Sequence, residues 1–171
     1  MPTHNGLRAG VISDTHGLLR PEALAFLRGC DHILHAGDVC EATVLEQLTA
    51  IASVTAVRGN NDKGAWAKAL PETRKVRLGD VTVYMIHDLK QLDSDAIAAG
   101  VQVVISGHSH HPRIERRDGV LYLNPGSAGP RRFRLPITAA ELTIRGSGVQ
   151  ARIVDLASEV TRPARSVPRG S

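Results

Sequence analysis

Short apolar runs alternate with amphipathic and polar stretches along this chain, and their periods predict its elements in order. Arg8 to Ile12 is an apolar segment closed by Ser13-Asp14-Thr15-His16-Gly17, the pattern of a buried strand and the loop that leaves it. Pro21 stands at a first helical position, with Leu24 and Leu27 behind it and Gly29 as a stop, which predicts a helix over Pro21 to Leu27. His32 to His35 reads as a second strand and runs into Ala36-Gly37-Asp38. Within Glu41 to Ile51, Val44, Leu45, Leu48 and Ile51 recur at helical spacing, giving the clearest amphipathic helix in the chain. Ser53 to Val57 is a third strand and empties into Arg58-Gly59-Asn60-Asn61-Asp62. Strand, helix, strand, helix, strand argues for parallel strands joined by helical crossovers.

From Thr73 the period shortens to two. Val76 and Leu78, the Gly79-Asp80 turn, then Val81, Val83 and Met85 form a hairpin whose second strand ends in Ile86-His87-Asp88. Asp93 to Ala99 predicts a short helix leading to the apolar run Val103 to Ile105, which stops at Ser106-Gly107-His108-Ser109-His110-His111. Two more hairpins follow. Arg113 to Arg117 and Val120 to Leu123 turn at Asp118-Gly119 and end in Asn124-Pro125-Gly126-Ser127, and Thr138 to Arg145 pairs with Val149 to Asp155. A parallel first half and a hairpin-rich second half predict the α/β class, specifically a four-layer αββα sandwich of two mixed β-sheets flanked by helices.

At 171 residues with 42% hydrophobic content, the chain suits one domain, expected over residues 1–157. Residues 158–171, rich in Pro, Ser, Gly and Arg, read as a disordered tail whose final Val-Pro-Arg-Gly-Ser resembles the remnant of an engineered protease site. No run approaches the roughly 18 to 20 apolar residues of a membrane span, so a cytoplasmic protein without a membrane partner is the expectation. Cys30 and Cys40 lack the spacing of a zinc finger or a redox pair and read as reduced thiols. The net charge of +4 includes three tail arginines, and aromatics are 3% of the chain, so nucleic acid is a disfavoured partner. A homo-oligomer is left open.

Five of the predicted strands end in metal-competent side chains: Asp14 and His16, Asp38, Asn60, His87, then His108 and His110. In open α/β sheets, polar groups at the carboxyl ends of strands converge on one crevice. Imidazole nitrogen with carboxylate and amide oxygen suits Mn, Fe, Zn, Co or Ni better than Ca or Mg. Seven donors are too many for one tetrahedral ion but fit two divalent ions sharing a carboxylate, the arrangement of a two-metal hydrolytic site.

In this order, Asp14-x-His16, Gly37-Asp38, Gly59-Asn60-x-Asp62, His87 and Gly107-His108-Ser109-His110, with Asn124-Pro125-Gly126-Ser127, resemble the calcineurin-like metallophosphoesterases, and most of all their small single-domain bacterial and archaeal phosphodiesterases. The resemblance covers roughly Leu7 to Asp155. It implies one metal on Asp14, His16 and His110, a second on Asn60, His87 and His108, and Asp38 bridging both. Manganese is the first choice of ion, with nickel, cobalt, iron or zinc as alternatives. The implied reaction is hydrolysis of small phosphodiesters by a hydroxide between the two ions. The alternatives are a phosphomonoesterase, a nuclease, or a non-catalytic scaffold subunit such as the retromer component that shares the fold but has lost part of the histidine set.

Two positions depart from the family pattern. Asn61 stands where many relatives carry a histidine that helps to protonate the leaving group, and an amide cannot act as an acid. His87-Asp88-Leu89 replaces the usual His-Gly-His, which alters the loop around His87. Asn61 and Asp62 are assigned to transition-state contact or to orienting a neighbour, and His35 either to a hydrogen bond with Asp38 or to a buried position with its hydrogen bonds satisfied elsewhere. Arg131 and Arg132, in the basic stretch Arg131 to Arg134, are candidates for gripping the substrate phosphate.

Overall fold

The computed structural model describes residues 6–97 and 100–157. The predicted tail and Ala98 and Ala99 of the predicted Asp93 to Ala99 helix lie outside the described residues. Two five-stranded sheets carry the fold. In chain order the strands are β1 (Leu7–Ile12), β2 (His32–His35), β3 (Ser53–Ala56), β4 (Thr73–Leu78), β5 (Val81–Ile86), β6 (Val103–Ile105), β7 (Arg113–Arg117), β8 (Val120–Asn124), β9 (Thr138–Arg145) and β10 (Gly148–Asp155). The first sheet runs β10-β9-β1-β2-β3 and the second β4-β5-β6-β8-β7. β1, β2 and β3 are parallel, as are β5, β6 and β8, whereas the hairpin partners pair antiparallel. Both sheets are therefore mixed, as the switch of period in the sequence predicts.

Alternation along the strands sorts the apolar side chains into layers. Ala9, Val11, Leu34, Ala140 and Leu142 of the first sheet meet Val83, Met85, Val103, Ile105, Leu121 and Leu123 of the second in the core between the sheets. Ile12 and Ile33, one position out of phase, point the other way and pack under α1 (Pro21–Leu27) and α2 (Ala42–Thr49) through Phe26, Leu27, Val44 and Leu48. β1 and β2 are thus covered on both faces, and their continuous apolar runs follow from that. Each fully buried large aliphatic side chain contributes about 1.5–3 kcal/mol.

The fourth layer is thin among the described residues, in keeping with the short helix predicted there. It consists of a 3₁₀ turn over Leu89–Gln91 and α4 (Ser94–Ile97), and it covers only part of the outer face of the second sheet, where Tyr84, Ile86 and Val104 lie under Leu89, Leu92, Ala96 and Ile97. A further short helix, α3 (Ala65–Lys68), lies between β3 and β4 and carries Trp66. No helix among the described residues is long and apolar enough to cross a membrane.

Candidate metal centre

The strands β1, β2, β3, β5 and β6 send their carboxyl ends to one rim of the sandwich, and the loops beyond them are laced together by main-chain hydrogen bonds. Asp14 N–H donates to Gly37 O at 2.9 Å and His16 N–H to Asp38 O at 3.0 Å, joining the loop after β1 to the loop after β2. His108 N–H donates to Asp14 Oδ2 at 3.1 Å and brings in the loop after β6. Asp14, His16, Asp38, His108 and His110 all have φ between 45° and 69°, five of the eight non-glycine residues with positive φ among the described residues. Side chains rarely adopt that conformation, and a cluster of it is a mark of functional sites.

Two groups of donors result. Asp14, His16 and His110 offer ligand atoms within 4.8 Å of one another, and so do Asp38, His87 and His108. Asp38 faces both groups, because its Oδ2 lies 3.6 Å from His16 Nε2 and 3.3 Å from His87 Nε2. Asn60 belongs with the second group, its Oδ1 standing 3.0 Å from His87 Nε2 and 3.2 Å from His108 Nδ1. All seven residues that the strand-end pattern singled out therefore converge on one small volume.

A metal fits this donor set on the geometry alone. Asp14 Oδ1, His16 Nε2 and His110 Nδ1 are buried with no hydrogen-bond partner. Leaving such groups unsatisfied costs about 1–3 kcal/mol each, which a cation would recover for those that turn toward it. The cradle is also shaped by glycine. A Cβ on Gly59 would stand 2.2 Å from Asp38 Oδ1, and one on Gly107 would stand 2.0 Å from Ser13 Oγ and 2.7 Å from Asp14 Oδ2. Any larger residue at either position would push a candidate ligand out of place.

The electrostatics of the site divide its ionisable groups. Burial alone would raise the Asp38 carboxyl, but the His87 imidazole and the Asn61 main-chain and side-chain N–H groups hold it well below the usual carboxylate range. Asp14 is held low, against burial, by His110 and by the Ser13 hydroxyl, which donates to its Oδ2 at 2.6 Å. His87, despite burial, is shifted up by Asp38 and Asp14. His16 is shifted down, first by burial. His87 Nδ1 donates to Ala36 O at 2.7 Å, which leaves Nε2 as the atom facing Asp38.

The remaining assignments meet a mixed outcome. Asn61 reaches Asp38 with two hydrogen bonds, from N–H to Oδ1 and from Nδ2 to Oδ2, both 2.9 Å. Asp62 is 6% exposed, and its carboxylate accepts the N–H groups of Asp38 at 3.0 Å, Gly59 at 2.7 Å and Cys40 at 2.7 Å. Its side chain holds the Asp38 main chain in place. Of the two readings of His35, the structure has the buried ring with its own partners and no bond to Asp38. Its Nδ1 instead accepts Gly37 N–H at 3.1 Å and its Nε2 meets Thr15 Oγ1 at 3.0 Å, because β2 points the ring beneath the loops. Arg131 is exposed and donates to Leu135 O at 3.3 Å on its own loop. Arg132 is exposed, and its charge helps to lower the pKa of His16.

Sequence reasoning missed two contacts. Cys40 Sγ lies 3.5 Å from His16 Nδ1, and burial with the neighbouring carboxylates pushes its thiol up to about 11. Asp88, noticed only as a departure, caps the 3₁₀ turn through Lys90 N–H at 3.0 Å and places Oδ2 3.9 Å from His108 Nε2. Its position directly after His87 was the available signal.

The family model of the calcineurin-like phosphoesterase superfamily domain matches residues 7–147. The chain belongs to that superfamily. It is 36% identical over 166 residues to a probable metallophosphoesterase of Methanothermobacter thermautotrophicus, covering 90% of this chain and 95% of that relative. Among solved structures, vacuolar protein sorting 29 of Cryptosporidium parvum superposes with a TM-score of 0.75 at 22% identity, over 88% of this chain and 91% of that one. An archaeal phosphodiesterase superposes with a TM-score of 0.72 at 23% identity, over 86% of this chain and 100% of that one. At these identities the two structures speak to the fold. The superfamily is one of divalent-metal phosphoester hydrolases, and the donor set described above suits such ions.

Proposed function

We propose that the chain hydrolyses small phosphodiesters with two divalent cations, manganese first among them, held by Asp14, His16 and His110 on one side and by Asn60, His87 and His108 on the other, with Asp38 shared. The observation that carries the reading is the pair of three-residue donor groups facing one carboxylate, with buried, unpartnered atoms among them. Bound together, such cations lower the pKa of water toward neutrality and offset charge on the phosphoryl oxygens. The chain's own part is positional. Asp62 fixes the Asp38 main chain, Asn61 fixes its carboxylate, and the Ser13 hydroxyl and His108 N–H fix Asp14. With both Asp38 oxygens held, the carboxylate cannot swing away from either donor group.

Among the described residues, the one thiol at the centre is a poor nucleophile. The Cys40 thiol, raised to about 11, is protonated at neutral pH. Asn61 can donate to a phosphoryl oxygen but cannot protonate a leaving group, which favours diesters with good leaving alcohols over monoesters. The test is a turnover screen of the purified protein, stripped with chelator and reloaded with each divalent metal, against phosphodiesters, phosphomonoesters and oligonucleotides. Diester hydrolysis restored by Mn supports the proposal. Preference for monoesters or oligonucleotides would replace it with the phosphatase or nuclease alternative, and absence of turnover with every metal would favour a scaffold role.

A further inference from the structure

A cavity of about 630 Å³ opens beside the candidate metal centre, on the outer face of the second sheet. It exists because the fourth layer is short. The turn at Leu89–Gln91 and α4 cover β5, β6 and part of β8, while the residues of β7 lie beyond their reach. His108 stands at one end of the cavity, and Lys90, Arg113, Glu115, Arg117 and Tyr122 line the rest.

Register explains what the cavity displays. Arg113 pairs with Asn124, Glu115 with Tyr122 and Arg117 with Val120, so alternation puts Arg113, Glu115, Arg117 and Tyr122 on the same outer face. A face of this kind at a sheet edge needs no arginines for packing. The Arg117 guanidinium lies over the Tyr122 ring, 5.2 Å from its centroid, and its side chain remains 51% exposed, so the other side of that planar group is free to stack. Glu115 accepts a hydrogen bond from Arg117 and forms an ion pair with Arg113, each at 2.9 Å, one carboxylate between two guanidiniums. Arg113 is 68% exposed and keeps donors for a further anion. Successive outward positions on a strand lie about 6–7 Å apart, so the cavity presents first a metal ligand, then a cation, then a planar stacking surface.

We propose that this cavity is the binding site for one organic arm of the phosphodiester, and that the arm consists of a planar ring bearing a further anion, as in a nucleoside monophosphate. The inference rests on the phosphodiesterase reading for the placement of the scissile phosphate at the metal centre. The ring stacks on the Arg117 and Tyr122 pair, and the second anion takes the free N–H groups of Arg113, with Lys90 adding charge from the opposite wall. The volume suits one such arm.

Two measurements separate this proposal from the reading on which it rests. The first needs no metal. Thymidine 3′,5′-bisphosphate is titrated calorimetrically into the chelator-treated protein and into its Arg113→Ala and Tyr122→Leu variants. The expected result is binding by the parent that weakens at least tenfold in each variant, with folding of the variants checked by circular dichroism. The second compares kcat/KM, in the metal-loaded protein, for methyl 4-nitrophenyl phosphate, thymidine 5′-(4-nitrophenyl phosphate) and its 3′-phosphorylated form. The order expected is a rise at each addition, with the ratio of the last to the first falling at least tenfold in both variants through KM. Equal affinity in parent and variants, or one kcat/KM for all three esters, overturns the proposal while leaving the phosphodiesterase reading intact. Variant-sensitive binding without turnover of any ester upholds the cavity and refutes the phosphodiesterase reading.

Discussion

His35 gives the sharpest stability test of how the centre is built. It is fully buried beneath the Asp14 and Asp38 loops, and burial lowers its pKa from 6.5 to about 4. Because Gly37 N–H donates to Nδ1, that nitrogen must be the acceptor, and Nε2–H then donates to Thr15 Oγ1, whose hydroxyl passes on to Val39 O at 3.3 Å. Protonation would put a second donor against Gly37 N–H. Since the folded pKa is depressed, the unfolded chain binds the proton more tightly, and stability is complete above pH 6.5, falls through the interval to pH 4, and levels off below it. A separation of about 2.5 units corresponds to about 3 kcal/mol in total, of which about 2 kcal/mol is lost between pH 7 and pH 5. The assay is urea unfolding of chelator-treated protein at those two pH values, for the parent and for His35→Asn, which keeps an acceptor near Gly37 but cannot titrate. The variant is less stable at pH 7, yet its loss on going to pH 5 should be smaller by about 2 kcal/mol. His16 and His32, also shifted down, titrate in both proteins and cancel in the difference. An equal loss in the two proteins would show that His35 is not held neutral, and would refute the hydrogen-bond direction assigned to Gly37.

Asp38→Asn removes the charge shared by the two donor groups, and metal content by mass spectrometry should fall for both ions together; retention of two ions with full activity would rule out sharing. His108→Ala should remove one ion and lower turnover at least about a hundredfold, and near-normal rates in added Mn would refute its role as ligand. Asn61→His supplies an acid where the amide has none, so kcat/KM for monoesters relative to diesters should rise, and an unchanged ratio would reject the link between Asn61 and diester preference.

How much of this was legible depends on the range over which each signal acts. α2 was readable because Val44 and Leu48 recur at helical spacing, and the strand ends because each apolar run stops at a polar residue within a few positions. The seven donors converge through sheet topology, which the strand and helix order predicts. Asp62 shows what lies beyond that range. Its carboxylate gathers N–H groups from Asp38 and Cys40, 24 and 22 residues upstream, and nothing in Gly59-Asn60-Asn61-Asp62 distinguishes such a brace from a turn residue. His35 stayed open between two readings for a related reason. Two positions before Gly37 suggested a reach to Asp38, but the main-chain turn at Gly37, with φ of 103°, carries Asp38 away and leaves the Gly37 N–H over the ring. The short helix after β5 was visible in the sequence, as was the alternation of Arg113, Glu115 and Arg117, whereas which strands that helix leaves uncovered was not.

The chain itself holds the donor atoms of the candidate centre in place. Five candidate ligands hold positive φ, and two carboxylates sit nearly buried within reach of the same imidazoles. Strained residues persist only where the surroundings over-determine them, and here the bonds linking the loops after β1 and β2, with the Asp62 brace, provide that constraint. The charge needs a separate answer. In the metal-free chain it comes from His87, whose upward shift means that Nε2 carries a proton between Asp14 and Asp38 more readily than an ordinary imidazole would. That nitrogen is the same atom the second donor group offers to a cation, since Nδ1 is committed to Ala36 O. On the two-cation proposal, a proton and a metal would therefore compete for one position.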